Sequence, residues 1–144
     1  MKEKYMNYAL IEAEKALKEN EMPVGAVIVY KNEIIGYGYN RKEKDKNSLY
    51  HAEIIAINEA CKKIKDWRLN ECEIYVTMEP CLMCMGAIIE SRIKKVYCGI
   101  SNKKVHDSNQ MIIKENNISI EYDIMSQLSL NLIEDFFKNI RNRD

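Results

Sequence analysis

Apolar residues recur at intervals of three and four near both ends of the chain, which is typical of amphipathic helices. The first predicted helix covers residues 3–19 and ends before Pro23, because a proline in the interior of a helix breaks it. The second predicted helix runs from Ser126 to Arg141. Their apolar sides are formed by Met6, Ala9, Leu10, Ala13 and Leu17 in the first helix and by Leu128, Leu132, Phe136 and Ile140 in the second.

Between these helices, short apolar runs predict the strands of a sheet. Val24 to Tyr30 is almost continuously apolar, which is typical of a strand buried on both faces. Ile34 to Tyr39 follows after a short polar turn and predicts the second strand of an antiparallel hairpin. Three further strands are predicted at Glu73–Thr77, at Lys95–Cys98 and, from alternating apolar side chains, at Ile118–Tyr122.

Helices are also predicted between the later strands. One begins near His51, and another begins at Pro80 and runs to about Ser91, because proline in a first helical turn costs no hydrogen bond. The apolar face of the first of these helices is formed by Ile54, Ile57, Cys61 and Ile64. Residues 40–50 are polar and predict a loop, whereas the polar segment 101–117 has no assignable pattern. The alternation of helices and strands predicts parallel crossovers with helices on both faces of one sheet.

The composition narrows the class of protein. A chain of 144 residues suits a single domain spanning 1–144, and 47% hydrophobic residues argue against disorder. The formal net charge is zero, which argues against a strongly electrostatic nucleic-acid binder but not against local basic patches. From Arg92 to Lys104 there are five basic residues and no acidic one. There is no apolar signal core and no run of the ~20 apolar residues that a membrane span needs, so we expect a cytoplasmic protein without membrane contact.

The clearest chemical feature is a pair of cysteines separated by two residues, Cys81 and Cys84. Positions i and i+3 of a helix share a face, so both sulfurs can reach one ion. The start of a helix offers free backbone N–H groups and the positive end of the helix dipole, and both favour the thiolate, the form of cysteine that binds metal. The pair therefore predicts a metal site, with a redox pair or a closed zinc knuckle as the alternatives.

His51 and Glu53 supply the rest of a catalytic site. Residues two apart within a helix point to nearly opposite sides, so both face one site only if His51 lies at the helix boundary. His51 then becomes the third ligand, and Glu53 stays close to the ion without binding it. Three protein ligands leave a position open for water, which is typical of catalytic zinc sites. We therefore expect a hydrolytic enzyme with one Zn²⁺ that activates water and with Glu53 as the proton shuttle.

The spacing His-x-Glu followed by Pro-Cys-x-x-Cys is the signature of zinc deaminases that act on nucleobases. Around it, the chain resembles the cytidine-deaminase superfamily and, within it, the TadA-type tRNA-specific adenosine deaminases. The resemblance covers most of the first hundred residues. It rests on Pro23–Val27, Asn40, His51–Ile54, Trp67–Leu69, Tyr75–Thr77, Glu79–Cys81, Met83–Cys84, Gly86–Ala87, Ser91–Ile93 and Gly99, with Asp135–Lys138 and Arg141 fitting the last helix.

The resemblance implies a three-layer α/β/α cytidine-deaminase-like fold with a five-stranded mixed sheet. It also implies a homodimer with one zinc ion per subunit, which hydrolyses adenosine to inosine at the wobble position of a tRNA anticodon stem-loop. Asn40 is expected to hydrogen-bond the flipped base. The other implied substrate contacts are Val24, Ala52, Glu79 and Pro80 beside the base, and Phe137, Lys138 and Arg141 on the RNA.

The chain departs from the family at two places. Leu49 and Tyr50 stand where the family usually has Thr-Ala, so Tyr50 is expected at the pocket rim as a further substrate contact. The segment Asn102–Ser108 replaces a Gly-rich element. These departures keep open a second hypothesis, a deaminase of a free nucleobase, nucleoside or nucleotide of the guanine, cytosine or adenosine type. A third hypothesis is a non-catalytic zinc protein that serves another deaminase, against which Glu53 argues.

Overall fold

The computed structural model of the chain describes residues 1–143, which form five helices and one five-stranded mixed sheet. The helices are α1 (Lys2–Lys18), α2 (Ala52–Ile64), α3 (Leu82–Glu90), α4 (His106–Glu115) and α5 (Ser126–Arg143). The strands are β1 (Gly25–Tyr30), β2 (Glu33–Tyr39), β3 (Cys72–Met78), β4 (Lys95–Ile100) and β5 (Ser119–Glu121). Their order in the sheet is β2-β1-β3-β4-β5. Strand β1 is antiparallel to β2 and β3, and β4 is parallel to β3 and β5.

Helices cover both faces of the sheet, so the fold has three layers. The side chains of β1 alternate between them. Ala26 and Ile28 belong to the core beneath α2 and α3, whereas Val27 and Val29 belong to the core beneath α1. Strand β1 is therefore buried on both faces, as its continuous apolar sequence predicts. The expected α/β/α fold with a mixed sheet of five strands is confirmed.

Helix α2 approaches β2 closely because both contact surfaces carry small residues. Gly38 lies against the first turn of α2, and an added Cβ there would collide with the carbonyl oxygen of Ala52. One turn further on, a Cβ on Gly36 would collide with the carbonyl oxygen of Ala56. This close packing fixes the N-terminal end of α2, which is where His51 lies.

Two predicted helical faces are only partly right. On α2, Ile57 is buried, but Ile54, Cys61 and Ile64 are half-exposed, because alanines make the closest contact with the sheet. On α5, the buried residues are Ser129 and Ile133, while Leu128 and Ile140 of the predicted face are 47% and 38% exposed. Leu132 and Phe136 of that face are half-buried. Within residues 1–143, no helix is both long and apolar enough to cross a lipid bilayer.

Two later helices differ from the sequence analysis, one because its predicted start is wrong and the other because no helix is predicted there. Helix α3 begins at Leu82, and Pro80 lies outside it, because Cys81 has an extended backbone and serves as the residue that precedes the first turn. The segment 101–117, which has no assignable apolar pattern, contains helix α4. Only Asn109 and Ile113 of α4 are buried, so its inner face is too short and too polar to produce an apolar periodicity.

Candidate metal centre and active site

The three predicted metal ligands lie together at the N-terminal ends of two helices. The imidazole nitrogens of His51 and the sulfurs of Cys81 and Cys84 supply ligand atoms that lie within 4.8 Å of one another. Nδ1 of His51 is 3.6 Å from each sulfur. His51 precedes the first turn of α2 and Cys81 precedes that of α3, both with an extended backbone. The prediction that His51 lies at a helix boundary is confirmed.

The chemistry of these donors fits a catalytic zinc site. One imidazole nitrogen and two sulfurs are ligands that Zn²⁺ prefers, and three of them leave a coordination position open. Among residues 1–143, no fourth histidine, cysteine or carboxylate joins the cluster, which argues against a closed zinc knuckle. Cys84 is fully buried while His51 and Cys81 are half-buried, so the cluster has an inner side within the protein and an outer side open to a ligand.

The two cysteines favour different protonation states. The thiol of Cys84 donates a hydrogen bond to the sulfur of Cys81, and this bond, together with neighbouring His51, lowers the pKa of Cys81 to about 4. The same bond, aided by burial, raises the pKa of Cys84 far above its ordinary value. Contact with Cys81 also raises the pKa of His51. The cluster therefore holds a thiolate, which is the form that binds a metal cation.

Glu53 lies in the first turn of α2, beside the cluster, and is only 3% exposed. Burial raises the pKa of Glu53 to about 7, since a charged carboxylate is disfavoured away from water. A carboxyl group with such a pKa can both accept and return a proton near neutral pH.

A cavity of about 130 Å³ opens beside these groups. Its lining residues are Met22, Val24, Asn40, His51, Glu53, Met78, Glu79, Cys81 and Asn102. Three of the predicted substrate contacts, Val24, Asn40 and Glu79, therefore face the same space as the cluster. The side-chain oxygen of Asn40 accepts a hydrogen bond of 2.8 Å from the N–H of Ala52, which leaves the NH₂ group of Asn40 available to donate to a ligand.

The other predicted contacts, Ala52 and Pro80 among them, are not among the residues that line this cavity. Tyr50 lines a neighbouring groove with Arg41 and Asn58, and its contact with a substrate stays a prediction. The carbonyl of Pro80 accepts a hydrogen bond of 2.9 Å from Asn109. Residues Phe137, Lys138 and Arg141 are exposed on α5, which packs against α1 and β4 rather than against α2 or α3.

Sequence reasoning missed a network of hydrogen bonds around Glu79, which is 2% exposed at the end of β3. Its Oε1 accepts bonds of 3.0 Å from the N–H of Asn102 and from Nδ1 of His106. Its Oε2 accepts bonds of 3.1 Å from Nδ2 of Asn109 and from the hydroxyl of Tyr122. Burial acts to raise the pKa of Glu79, but these bonds outweigh it, so its pKa lies below the ordinary value. Asn102, His106 and Asn109 have the spacing of residues on one helix face. Because all three are polar, this spacing does not appear in the sequence as an apolar pattern.

Comparisons with known proteins agree with this site. The sequence model of the MafB19-like deaminase family matches residues 1–141. A tRNA-specific adenosine deaminase of Rickettsia bellii is 44% identical over 146 residues, covering 95% of this chain and 100% of the relative. The tRNA-specific adenosine deaminase of Bacillus subtilis is 36% identical and covers 98% of this chain and 91% of the relative.

A solved structure from studies of A-to-I editing by tRNA:A34 deaminases at the wobble position of transfer RNA is also similar. It has a TM-score of 0.84 and 30% identity, and the match covers 90% of this chain and 98% of that one. The expected resemblance to tRNA-specific adenosine deaminases is thereby confirmed. The chain belongs to the MafB19-like deaminase family and has a cytidine-deaminase-like fold.

Proposed function

We propose that the chain is a zinc-dependent hydrolytic deaminase that converts adenosine to inosine at the wobble position of a tRNA anticodon. The observation that carries this proposal is the convergence of His51, Cys81 and Cys84 beside buried Glu53 at one cavity. The choice of substrate is supported by similarity to tRNA-specific adenosine deaminases over nearly the whole chain. A tRNA substrate also fits a cytoplasmic enzyme.

The four residues divide the chemistry. His51, Cys81 and Cys84 would hold one Zn²⁺, which when bound supplies an acidified water molecule for attack on the base. Glu53 takes one proton from the attacking water at a carboxylate oxygen and delivers it to the ring nitrogen. It then takes the proton of the hydroxyl group newly bonded to the base and delivers it to the amine, which leaves as ammonia. Because Glu53 is only 3% exposed, bulk water does not compete for these proton transfers.

The rest of the cavity orients the base. The NH₂ group of Asn40 donates a hydrogen bond to the base, since the side-chain oxygen of Asn40 is held by Ala52. Val24 contributes apolar surface to the cavity, and Glu79 also lines it. We place the RNA contacts on α5, where the ring of Phe137 is 45% exposed and can stack on an unpaired base. Lys138 and Arg141 add positive charge on the same helix for the phosphates.

We also propose that the enzyme is a homodimer that associates through the outer face of α3. Gly86 lies within this helix, and among residues 1–143 no atom outside its chain neighbours and the nearby backbone of its own helix comes within 4 Å of the position that its Cβ would take. A glycine inside a helix costs roughly 0.5–1 kcal/mol relative to alanine. Since packing within the chain does not require Gly86, close approach by a second copy accounts for it. Leu82, one turn earlier on α3, is 50% exposed and adds apolar area to this face.

Light scattering after gel filtration tests the dimer with Gly86→Glu, and Asn7→Glu, which adds the same charge at an exposed position of α1, serves as the control. The glutamate variant is expected to be a folded monomer, because its added side chain has room in one subunit but not between two. The control is expected to remain dimeric. A monomeric wild-type protein, or a Gly86→Glu dimer, would contradict this interface.

A panel of substrates tests the proposed reaction. Zinc-loaded protein is incubated in parallel with a tRNA anticodon stem-loop that carries adenosine at the wobble position and with free adenine, adenosine, guanine and cytosine. Mass spectrometry of nucleosides and release of ammonia report deamination. Inosine in the RNA, with the free compounds unchanged, is the expected result. Deamination of a free compound without inosine in the RNA would favour the second hypothesis, and stoichiometric zinc with no reaction would favour the accessory protein.

A further inference from the structure

The buried carboxylate of Glu79 joins the site to the chain segment that follows β4. All four of its hydrogen-bond donors, Asn102, His106, Asn109 and Tyr122, come from residues 102–122. Glu79 itself lies two residues before Cys81, one of the three clustered ligands. The network therefore connects α4 and the residue after β5 with the turn that carries a ligand.

Asn109 makes the most direct of these connections. Its side chain is fully buried, and its NH₂ group donates to Oε2 of Glu79 at 3.1 Å and to the carbonyl of Pro80 at 2.9 Å. The carbonyl of Pro80 belongs to the peptide plane that ends at the nitrogen of Cys81. Holding this oxygen fixes the orientation of that peptide, because a peptide unit is planar and rigid.

The geometry of Cys81 depends on this peptide. Cys81 has an extended backbone with φ −70° and ψ 175°, and its carbonyl accepts the bond from the N–H of Met85 that begins α3. The carbonyl group of Cys81 is therefore held by α3, and the peptide group before Cys81 is held by the hydrogen bond between Asn109 and the carbonyl of Pro80. These two constraints hold the backbone of Cys81, whose sulfur lies 3.6 Å from Nδ1 of His51.

Helix α4 buries few of its side chains. Of its ten residues, only Asn109 and Ile113 have buried side chains, and no side chain caps its N-terminus. A polar residue therefore occupies one of the two buried positions of α4. The placement of an amide there indicates a role in its two donated hydrogen bonds rather than in packing.

We infer that Asn109 is a positioning residue for the metal centre, and that α4, through Asn109 and Glu79, sets the affinity of the site by holding the Pro80–Cys81 peptide. The inference rests on the proposed function, because it takes the cluster of His51, Cys81 and Cys84 as the zinc site. It assigns a role to the segment 101–117, in which the chain departs from its family. Hydrogen bonds that orient ligands from outside a metal site typically change affinity roughly 10–100-fold when they are removed.

The test is a titration of metal-free protein with Zn²⁺ in competition with a chromophoric chelator, on wild type and Asn109→Leu. Leucine has nearly the shape of asparagine but donates no hydrogen bond. The variant is expected to bind Zn²⁺ roughly 10–100-fold more weakly. The absorption of the Co²⁺-loaded protein, which reports bonds between thiolate and metal, is expected to change in position or intensity. Ile113→Val perturbs the packing of α4 without touching Glu79 or Pro80, and it should leave both readouts at wild-type values.

Three results would overturn the inference. One is a folded Asn109→Leu protein with wild-type affinity and spectrum, and another is equal weakening in Ile113→Val, which would indicate general loosening of α4. If Asn109→Leu does not fold, Tyr122→Phe is measured in its place, because it removes one hydrogen bond to Glu79. Tyr122→Phe is expected to weaken Zn²⁺ binding by a smaller factor, and unchanged binding in this variant would be the third contrary result. A wild-type protein that binds no Zn²⁺ would instead overturn the proposed function and the inference with it.

Discussion

Replacing Glu53 with glutamine keeps the shape of the side chain and removes its ability to ionise. Burial raises the pKa of this carboxyl from 4.5 to about 7, so the folded metal-free protein resists its ionisation. A shift of one pKa unit corresponds to about 1.36 kcal/mol. Ionisation of buried Glu53 therefore lowers the free energy of unfolding by up to roughly 3 kcal/mol. The penalty is absent below pH 4.5, grows as the pH rises toward 7 and is constant above it.

Glu53→Gln is therefore expected to stabilise the metal-free protein at pH 8 by up to roughly 3 kcal/mol and to have little effect at pH 4. Catalytic activity is expected to fall although stability rises, because glutamine cannot accept and return the proton. Loss of a general acid–base group typically slows a reaction by roughly 10²–10⁴-fold, which sets the expected fall in kcat. Zinc content should remain near one ion per subunit, since Glu53 is not among the clustered ligands.

Urea unfolding of chelator-treated wild type and Glu53→Gln, at both pH values, measures the first effect. Atomic absorption measures the zinc content of both proteins, and the rate of inosine formation measures the expected fall in kcat. A variant that loses its zinc would show that Glu53 is a ligand, and one that retains full activity would remove it from the proton transfers. A gain in stability that is equal at pH 4 and pH 8 would refute the argument from burial.

Three further outcomes are expected. Cys84→Ser should lower zinc content and activity together in parallel assays, and activity that survives loss of zinc would contradict the metal site. Gly38→Ala should destabilise the fold by roughly 1–3 kcal/mol in urea unfolding, because its Cβ collides with the carbonyl of Ala52; a neutral effect would contradict the close approach of α2. Outside the site, iodoacetamide should modify half-exposed Cys61 faster than buried Cys72, whose pKa burial raises to about 11, and a reversed order in peptide mapping would contradict this difference.

The catalytic cluster can be predicted from sequence because each member carries a short local signal. Cys81 and Cys84 are three positions apart, and His51 and Glu53 can face one site only across a helix boundary, which the polar loop before His51 indicates. The strands around them are also predictable, because β1 is buried on both faces and reads as a continuous apolar run. These signals depend on a few neighbouring residues and not on distant contacts.

The parts that sequence reasoning missed depend on contacts between distant segments. Helix α4 is held by Asn109 and by the hydrogen bonds that Glu79 accepts. Because these contacts are made by polar side chains, the sequence shows no periodic apolar pattern there. The buried side of α5 is set by the narrow space near Gly99, where a Cβ would come within 2.6 Å of the hydroxyl of Ser129. The resemblance to the family predicts Tyr50 at the rim of the cavity, whereas its side chain lines a groove with Ile55 and Asn58 of α2.

The proposed reaction is tested most directly by locating inosine within the RNA. Two anticodon stem-loops are compared, one with its only loop adenosine at the wobble position and the other with that adenosine moved to a neighbouring loop position. After incubation with zinc-loaded wild type, fragments of both RNAs are sequenced by mass spectrometry. Inosine is expected at the wobble position of the first RNA, with none in the second RNA or with Glu53→Gln. Unchanged adenosine in both RNAs with fully zinc-loaded protein would contradict the proposed reaction.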